Sequence, residues 1–350
     1  MRPPIFLIVI SLLFLSFSGI AGSPENSPAI ITRGDSTNII SLFKKMNVFV
    51  YLGVKSAPFS LKDSLNKNYK FAPTPQTRMG VGFVNKWFGI RLGFVLPTST
   101  ENERVYGKTT SLDLQTNIFA KTFGLDLYFL NYRGFYLENP HNFIPGWNTT
   151  KPYPNNRNSY RSTYGANFFY IFNSRNFSQK AAFQQIEWQK KSSGTFMMGA
   201  YFNVTNVYAD SAFIDLRQYN VSDKLNLNEV SAITGGISVG YSHNFIMWKR
   251  LLLNLTGMVG MGYLKTSFSY NDQGKYSGER SGLGAKVSTR IALGYSREKN
   301  YFGIYYITDS YEISLSGKEN FQFKVNNVYL FYGRRIEWDK LFSRPPAPTP

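Results

Sequence analysis

Between residues 230 and 264 the chain alternates, position by position, between two kinds of side chain, and no other feature restricts its folding as strongly. From 233 to 242 the odd positions are Ile233, Gly235, Ile237, Val239 and Tyr241, and the even ones are Thr234, Gly236, Ser238, Gly240 and Ser242. After residues 244–249 the alternation resumes. Leu251, Leu253, Leu255, Val259, Met261 and Tyr263 fall on one face, and Asn254, Thr256, Gly260 and Gly262 on the other. A period of two puts successive side chains on opposite faces of a strand. These two strands therefore meet an apolar medium on one face and a small, polar one on the other.

Composition decides what that apolar medium is. Charged residues and aromatics each make up 17% of the 350 residues, with 24 Tyr and 30 Phe, which is poor in charge and rich in rings for a water-soluble domain. The mean hydropathy is only −0.25, and beyond the first segment no apolar run is long enough for a membrane-spanning helix. A closed barrel needs apolar residues on only half of each strand, so it fits both facts. Residues 1–21, with Arg2, an apolar stretch over 5–17 and the small-residue site Gly19-Ile20-Ala21, read as a cleaved secretory signal. There is no cysteine, which excludes disulfides, thiolate metal sites and a lipidated amino terminus. The net charge of +18 falls by one with the loss of Arg2. For an exported chain such a balance points to lipid of the outer membrane, surface glycan, a small anionic solute or an envelope protein as partner, and not to nucleic acid.

The same alternation recurs along the chain. Strands are expected at 47–55, 78–84, 89–96, across 110–135 with a tight turn near Lys121, and at 160–172 and 194–209. Three more follow the pair at 230–264, at 284–297, 301–313 and 320–334. The expected architecture is all-β, a transmembrane antiparallel β-barrel of about twelve strands, with ten or fourteen also compatible, over residues 47–336. Links at 85–88, 121–122, 244–249 and 298–300 are short, whereas those at 56–76, 97–109, 136–159, 210–229 and 266–283 are long. Short periplasmic turns and long outer loops produce that rhythm. The link at 173–193 breaks it, being long where a short one is due; it has room for an extra strand, which would spoil the even count. Trp87, Phe88, Trp248, Tyr295 and Tyr301 stand where an aromatic girdle would lie. Within the amino-terminal segment 22–46, Ile39, Leu42, Phe43 and Met46 have helical spacing after Asp35 or Ser36, which is compatible equally with a short helix at the barrel mouth and with a ragged entry into the first strand. Residues 337–350 read as a disordered basic and proline-rich tail.

Several motifs resemble an uncharacterised bacterial outer-membrane family, domain of unknown function 4421. They are Met79-Gly-Val-Gly-Phe83 with Trp87-Phe-Gly-Ile-Arg-Leu-Gly-Phe94, Gly107-Lys-Thr-Thr-Ser-Leu-Asp113, Tyr132-Arg-Gly-Phe-Tyr-Leu137, and Ile171-Phe-Asn173 leading to Phe177-Ser178. The most specific lies in the odd link, where Phe183, Gln185, Glu187, Gln189, Lys191, Ser192 and Gly194 resemble that family's spaced signature. The resemblance covers most of the mature chain. It implies a barrel and a Gram-negative outer membrane, but no assigned catalytic or binding residue. Past Arg335 this chain runs on where the family is expected to stop.

Chemistry-bearing motifs are few. A lipid hydrolase on a barrel wall needs Ser, His and an orienting group together. The only histidines, His141 and His243, are placed at opposite ends, so the expectation is a protein that is not an enzyme, with no catalytic residues, metal or cofactor. Residues 278–286 superficially match a phosphate loop, but Ala285 precedes Lys286 where Gly is required and Val287 follows where Ser or Thr should. Asn148, Asn203 and Asn254 match a glycan acceptor pattern that has no weight in a bacterial barrel. What remains is charge on the polar strand faces: Arg78, Arg91, Asp113, Asp126, Lys286 and Arg290. Two readings of this lumen set stay open. The charges pair within a narrow barrel, or the cations bias a porin-like lumen towards anions. The expected function is accordingly a pore or binding barrel for a small anionic or glycan-derived solute. The alternatives are a structural or assembly protein acting through its outer loops or the 173–193 link and, furthest back, a membrane hydrolase.

Overall fold

A computed structural model describes residues 38–42, 45–62, 66–84, 89–210, 213, 227–270, 276–314 and 319–337. The expected signal, the carboxy-terminal tail, and Trp87 and Phe88 lie outside the described residues. In chain order the elements begin with β1 (Ile39–Ser41), β2 (Lys45–Ser56), β3 (Phe59–Lys62), β4 (Asn68–Ala72), β5 (Gln76–Val84), β6 (Gly89–Val95) and helix α1 (Thr100–Tyr106). Next come β7 (Thr110–Phe119), β8 (Phe123–Leu137), a 3-10 turn (Pro140–Asn142), β9 (Asn155–Ile171), helix α2 (Gln179–Phe183) and β10 (Glu187–Gln189). The remainder is β11 (Ser193–Ala209), β12 (Leu227–Met247), β13 (Leu251–Tyr270), β14 (Tyr276–Ser296), β15 (Asn300–Ser314) and β16 (Asn320–Glu337).

Every ladder of the large sheet is antiparallel. It closes on itself through β15-β14-β13-β12-β11-β9-β8-β4-β3-β16, because β16 returns to β15, giving a ring of ten strands. Below that ring β2 continues β3 along β16, β5 continues β4 along β2, β6 is hydrogen-bonded to β5, and β7 to β8. Taking β2 with β3 and β4 with β5 as two bent strands, twelve segments form the wall at the periplasmic end. The expectation of about twelve counts these segments. The ring closes with ten because β4 reaches across to β8 above the shorter β6 and β7.

The alternation read at residues 230–264 is the wall itself. β12 and β13 pair without a break from Glu229↔Ser269 to Met247↔Leu251, and this register sends Ile237, Val239, Val259 and Met261 outward and Thr234, Ser238, Asn254 and Thr256 inward. A one-residue slip would exchange the two sets, so the register is firmly specified. Around the outside, Leu92, Phe196, Ile237, Val259 and Leu283 are each at least 60% exposed, while aromatic and polar side chains together fill the interior. A water-soluble monomer does not expose so broad an apolar surface. A barrel in hydrocarbon requires it.

The structure departs from the sequence reading at several places. No helix forms over the described part of 35–46. Ile39–Ser41 is instead a strand paired with β10, and β2 has begun by Lys45. A partner edge outweighs weak helical spacing. The outer links are shorter than expected because strands run on beyond the membrane: β14 takes up 276–283, and β3 and β4 occupy much of 56–76. Residues 278–286, superficially like a phosphate loop, are therefore continuous strand. Tyr301, expected in a girdle, is inward and 2% exposed, whereas Trp248 is 85% exposed at the turn between β12 and β13.

Candidate functional site in the barrel lumen

The lumen is filled in three tiers. Beneath the outer loops, Phe59, Phe71, Phe135, Leu137, Phe213, Phe268, Phe321 and Phe323 belong to one apolar cluster. Towards the periplasmic end, Phe49, Tyr51, Phe119, Phe169, Phe183, Tyr305 and Phe331 belong to a second. Glycines on the inner faces make room for these rings. A Cβ on Gly165 would collide with the ring of Tyr128, and one on Gly82 with that of Phe49. The glycines that read as missing bulk are thus covered by aromatic side chains from neighbouring strands, a pairing that also pins the register.

Between the two clusters lies a polar tier holding most of the charges singled out in the sequence. Arg290 on β14 donates to both carboxylate oxygens of Asp126 on β8, with its guanidinium carbon 4.6 Å from the centre of the Phe169 ring. Lys286, one turn of the pleat away, has its Nζ 3.6 Å from Asp309 Oδ1 and donates to Asn167 Oδ1 at 2.5 Å. Asp309 also accepts from Ser288 and from Asn167 Nδ2. Asp113 on β7 accepts from Lys55 Nζ at 3.0 Å, from the Tyr132 hydroxyl at 2.5 Å and from Gln115 at 2.9 Å. Three buried carboxylates are thus each matched with a cation and a set of neutral donors, the arrangement that makes buried charge tolerable.

Sequence reasoning missed Lys55, Asp309, Arg161 and Arg335. Asp309 escaped because the inward row of β15 is otherwise apolar, with Tyr301, Tyr305, Ile307, Tyr311 and Ile313, while the polar residues Thr308, Ser310 and Glu312 lie on the outward row, so no polar phase marks the inner face. Arg161 and Lys55 do fall on the inward phase of their strands, a signal that was readable. Arg161 is fully buried and donates to Thr163, to the carbonyls of Pro58 and Lys324, and lies 5.1 Å from the Phe323 ring.

The 173–193 link is a plug in the periplasmic mouth. Ser178 caps helix α2 by accepting from Ala181 N, and Phe177, Gln179, Ala181, Ala182, Phe183, Gln185, Ile186 and Gln189 are all buried. Barrel side chains hold it from three directions. Asn244 donates to Ser178 O and Gln189 Oε1, Asn47 to Gln185 O, and Arg335 to Gln185 O at 2.8 Å. Gln185 has a positive φ of 57°, and the extra strand the link had room for is β10, which pairs only with β1 in a small separate sheet. The even wall count is therefore kept.

Arg78 and Arg91 differ from the other cations. Arg78 on β5 donates to Ser111 Oγ at 3.0 Å. Arg91 on β6 is half-buried beside Phe183, Gln184 and Gln185 of the plug and Phe49, Tyr51, Val84, Tyr301, Tyr305, Tyr329 and Phe331 of the wall. Its guanidinium carbon sits 5.7 Å from the Tyr305 ring centre and 5.4 Å from that of Tyr329, and among the described residues no carboxylate is paired with it. The cavity between these side chains spans about 350 Å³ including its open mouth, but water centres fit over only about 20 Å³ of it. That is room for a water or two.

A family described as Domain of unknown function (DUF4421) matches residues 33–335. The chain belongs to this family. Its barrel, with an apolar outer wall, resides in the bacterial outer membrane. No curated protein matches the chain. Among solved structures it is similar to the outer membrane protease OmpT from Escherichia coli, at 7% identity over 85% of this chain and 97% of that one, with a TM-score of 0.38. It is also similar to the translocator domain of the autotransporter NalP from Neisseria meningitidis, at 9% identity over 83% and 88% with a TM-score of 0.30. A third is the Pseudomonas putida toluene transporter TodX, at 8% identity over 84% and 90% with a TM-score of 0.24. Likenesses this distant assign neither substrate nor reaction. They do overturn one expectation, that the chain is not an enzyme. The first of these barrels is a protease, so a barrel of this kind is no ground for excluding catalysis. His141 lies in the exposed 3-10 turn, and His243 faces outward on β12 with its ring 4.3 Å from that of Phe245.

Proposed function

We propose that this barrel binds a small anionic solute, with Arg91 receiving the negative group in a cavity that admits little beyond it. The observation that carries this reading is the contrast among the lumen cations. Lys55, Lys286 and Arg290 are each matched with a carboxylate, and Arg78, Arg161 and Arg335 donate to neutral oxygens, whereas Arg91 faces Tyr305 and Tyr329 and keeps its donors for something else. A planar guanidinium presents a fork suited to carboxylate or phosphate, and in an apolar pocket such a pair is stronger than in water. The packed tiers above Arg91 favour binding over free passage.

The assembly alternative has less support, because the 173–193 link turns its residues into the lumen and spends its hydrogen bonds there. Formate binding to the detergent-solubilised chain, followed by calorimetry, tests the proposal. Arg91→Gln should weaken formate at least tenfold and Arg91→Lys less, while the matched neutral formamide binds both variants alike. Equal formate affinity in the Arg91→Gln variant would refute it.

A further inference from the structure

The wall of this barrel has a seam. β6 is hydrogen-bonded to β5 and β7 to β8, but no ladder joins β6 to β7, nor do their backbones run side by side at ladder spacing. In every other part of the wall successive strands are paired. Here the ring closes only above, where Phe71 and Ala72 of β4 meet Leu137 and Tyr136 of β8. Beneath that bridge, side chains tie β5 to β7 at the outer end of the seam: Arg78 to Ser111, Ser111 to Gln76, and Gln76 to Thr109 O. Further down, the facing edges of β6 and β7 have no partner strand among the described residues. Hydrocarbon offers backbone N–H and C=O groups no partners, so an unpaired edge at membrane depth is retained only where it lines an opening or receives something.

β6 also differs in burial. Along its whole length only Arg91 is even half-buried, as a strand with one unpaired edge requires. The outward lip is apolar, with Ile90, Leu92 and Phe94 on β6 and Leu114 on β7. Just inside that lip sits Arg91, in a pocket with room for a polar head and little more.

We infer that the β6–β7 seam is a lateral port through which a single-chain anionic amphiphile docks from the membrane, its head on Arg91 and its tail lying along the lip of Leu92, Phe94 and Leu114. This rests on the proposed role of Arg91 and adds the class of solute and its route. The head-sized cavity argues for an amphiphile over a compact solute. A bulky ligand would have to displace Phe183, whereas a chain left in the seam displaces nothing and covers the open edge. An apolar mouth leading to a lone cation complements a molecule with one charged end.

The test uses the absence of native cysteine. Counting down both flanks from the Ala72↔Tyr136 pair brings Leu92 and Thr116 about level, so the variant Leu92→Cys with Thr116→Cys can be bridged across the seam by a bis-maleimide whose linker carries a reducible disulfide. Dodecanoate binding should fall at least tenfold on locking and return when the linker's disulfide is reduced, while formate, entering from the periplasmic mouth, binds locked and reduced forms alike. Dodecanoate binding that survives locking would overturn the port. Absence of formate binding to the wild type would instead mark failure of the Arg91 site itself. A second measurement needs only the wild-type chain: dodecanoate with a diazirine at its tail should label β6 and β7, and labelling confined to the plug or outer loops would overturn the inference. If the single variant Leu92→Cys gives cross-linked dimers with undiminished dodecanoate binding, the edge pairs a second copy and the port is refuted.

Discussion

At the scale of single residues, this lumen is governed by the cost of removing charge from water. Arg290 and Asp126 are both nearly inaccessible, so their mutual bond offsets a desolvation cost that neither could bear alone. Asp126→Ala is therefore expected to destabilise the barrel by about 3–5 kcal/mol, through the orphaned guanidinium rather than the lost contact. Adding Arg290→Met should recover most of that loss, because the flexible thioether lies against Phe169 without needing a partner. The temperature at which the folded band disappears on a heat-titrated gel measures both. Backbone conformation supplies a residue-level prediction of the opposite sign. Trp248 and Lys249 have φ of 46° and 63°, left-handed values that L side chains adopt at a cost. Lys249→Gly should stabilise the β12–β13 hairpin by about 1 kcal/mol, read by the same gel assay.

At the scale of elements, the plug is the piece whose behaviour is least like the wall. The wall is held by long ladders, whereas the plug hangs on a few side-chain bonds from Asn47, Asn244 and Arg335 and on its two-strand sheet with β1. Arg335→Ala removes the donors to Gln185 O and Arg297 O and is expected to cost about 1–3 kcal/mol locally. Its signature would be faster proteolytic nicking within 173–193 with an unchanged barrel, since segments with few anchors open before the whole. Replacing 174–190 by a short turn should leave the barrel folded and speed formate association several-fold, which a stopped-flow change in intrinsic fluorescence would show. Unchanged kinetics would mean that the plug does not cover the path to Arg91. The same scale explains the turn between β12 and β13. It carries neither Asn nor Gly, so the usual hairpin signal was absent and only the resumed alternation at Leu251 located it.

At the scale of the whole molecule, two apolar tiers of buried side chains lie above and below a layer of matched charge. Reconstituted in a planar bilayer, the wild-type chain is expected to show no steady conductance. Stable anion-selective steps would count against a packed lumen. Replacing the plug alone should not create a pore either, because Phe59, Phe71, Phe213, Phe321 and Phe323 still fill the outer tier.

What the sequence determined by itself was everything that depends on period two. Alternation set the strands, their outward faces, the barrel and the membrane, because a residue's face follows from its position along its own strand. It also showed that Arg78, Arg91, Asp113, Asp126, Lys286 and Arg290 stand on the polar faces, since each shares a phase with small or polar neighbours. Only the tertiary structure decided which of them meet. Arg290 and Asp126 lie 164 positions apart, and no local pattern encodes a bond across the lumen. Nor could it be read that β4 would bridge to β8 above β6 and β7, leaving one edge of each open. Ring closure sums the registers of every ladder, so a seam appears only when all of them are in place. For the same reason Arg91, one charge among several in the sequence, stood out only when the partners of the others had been found.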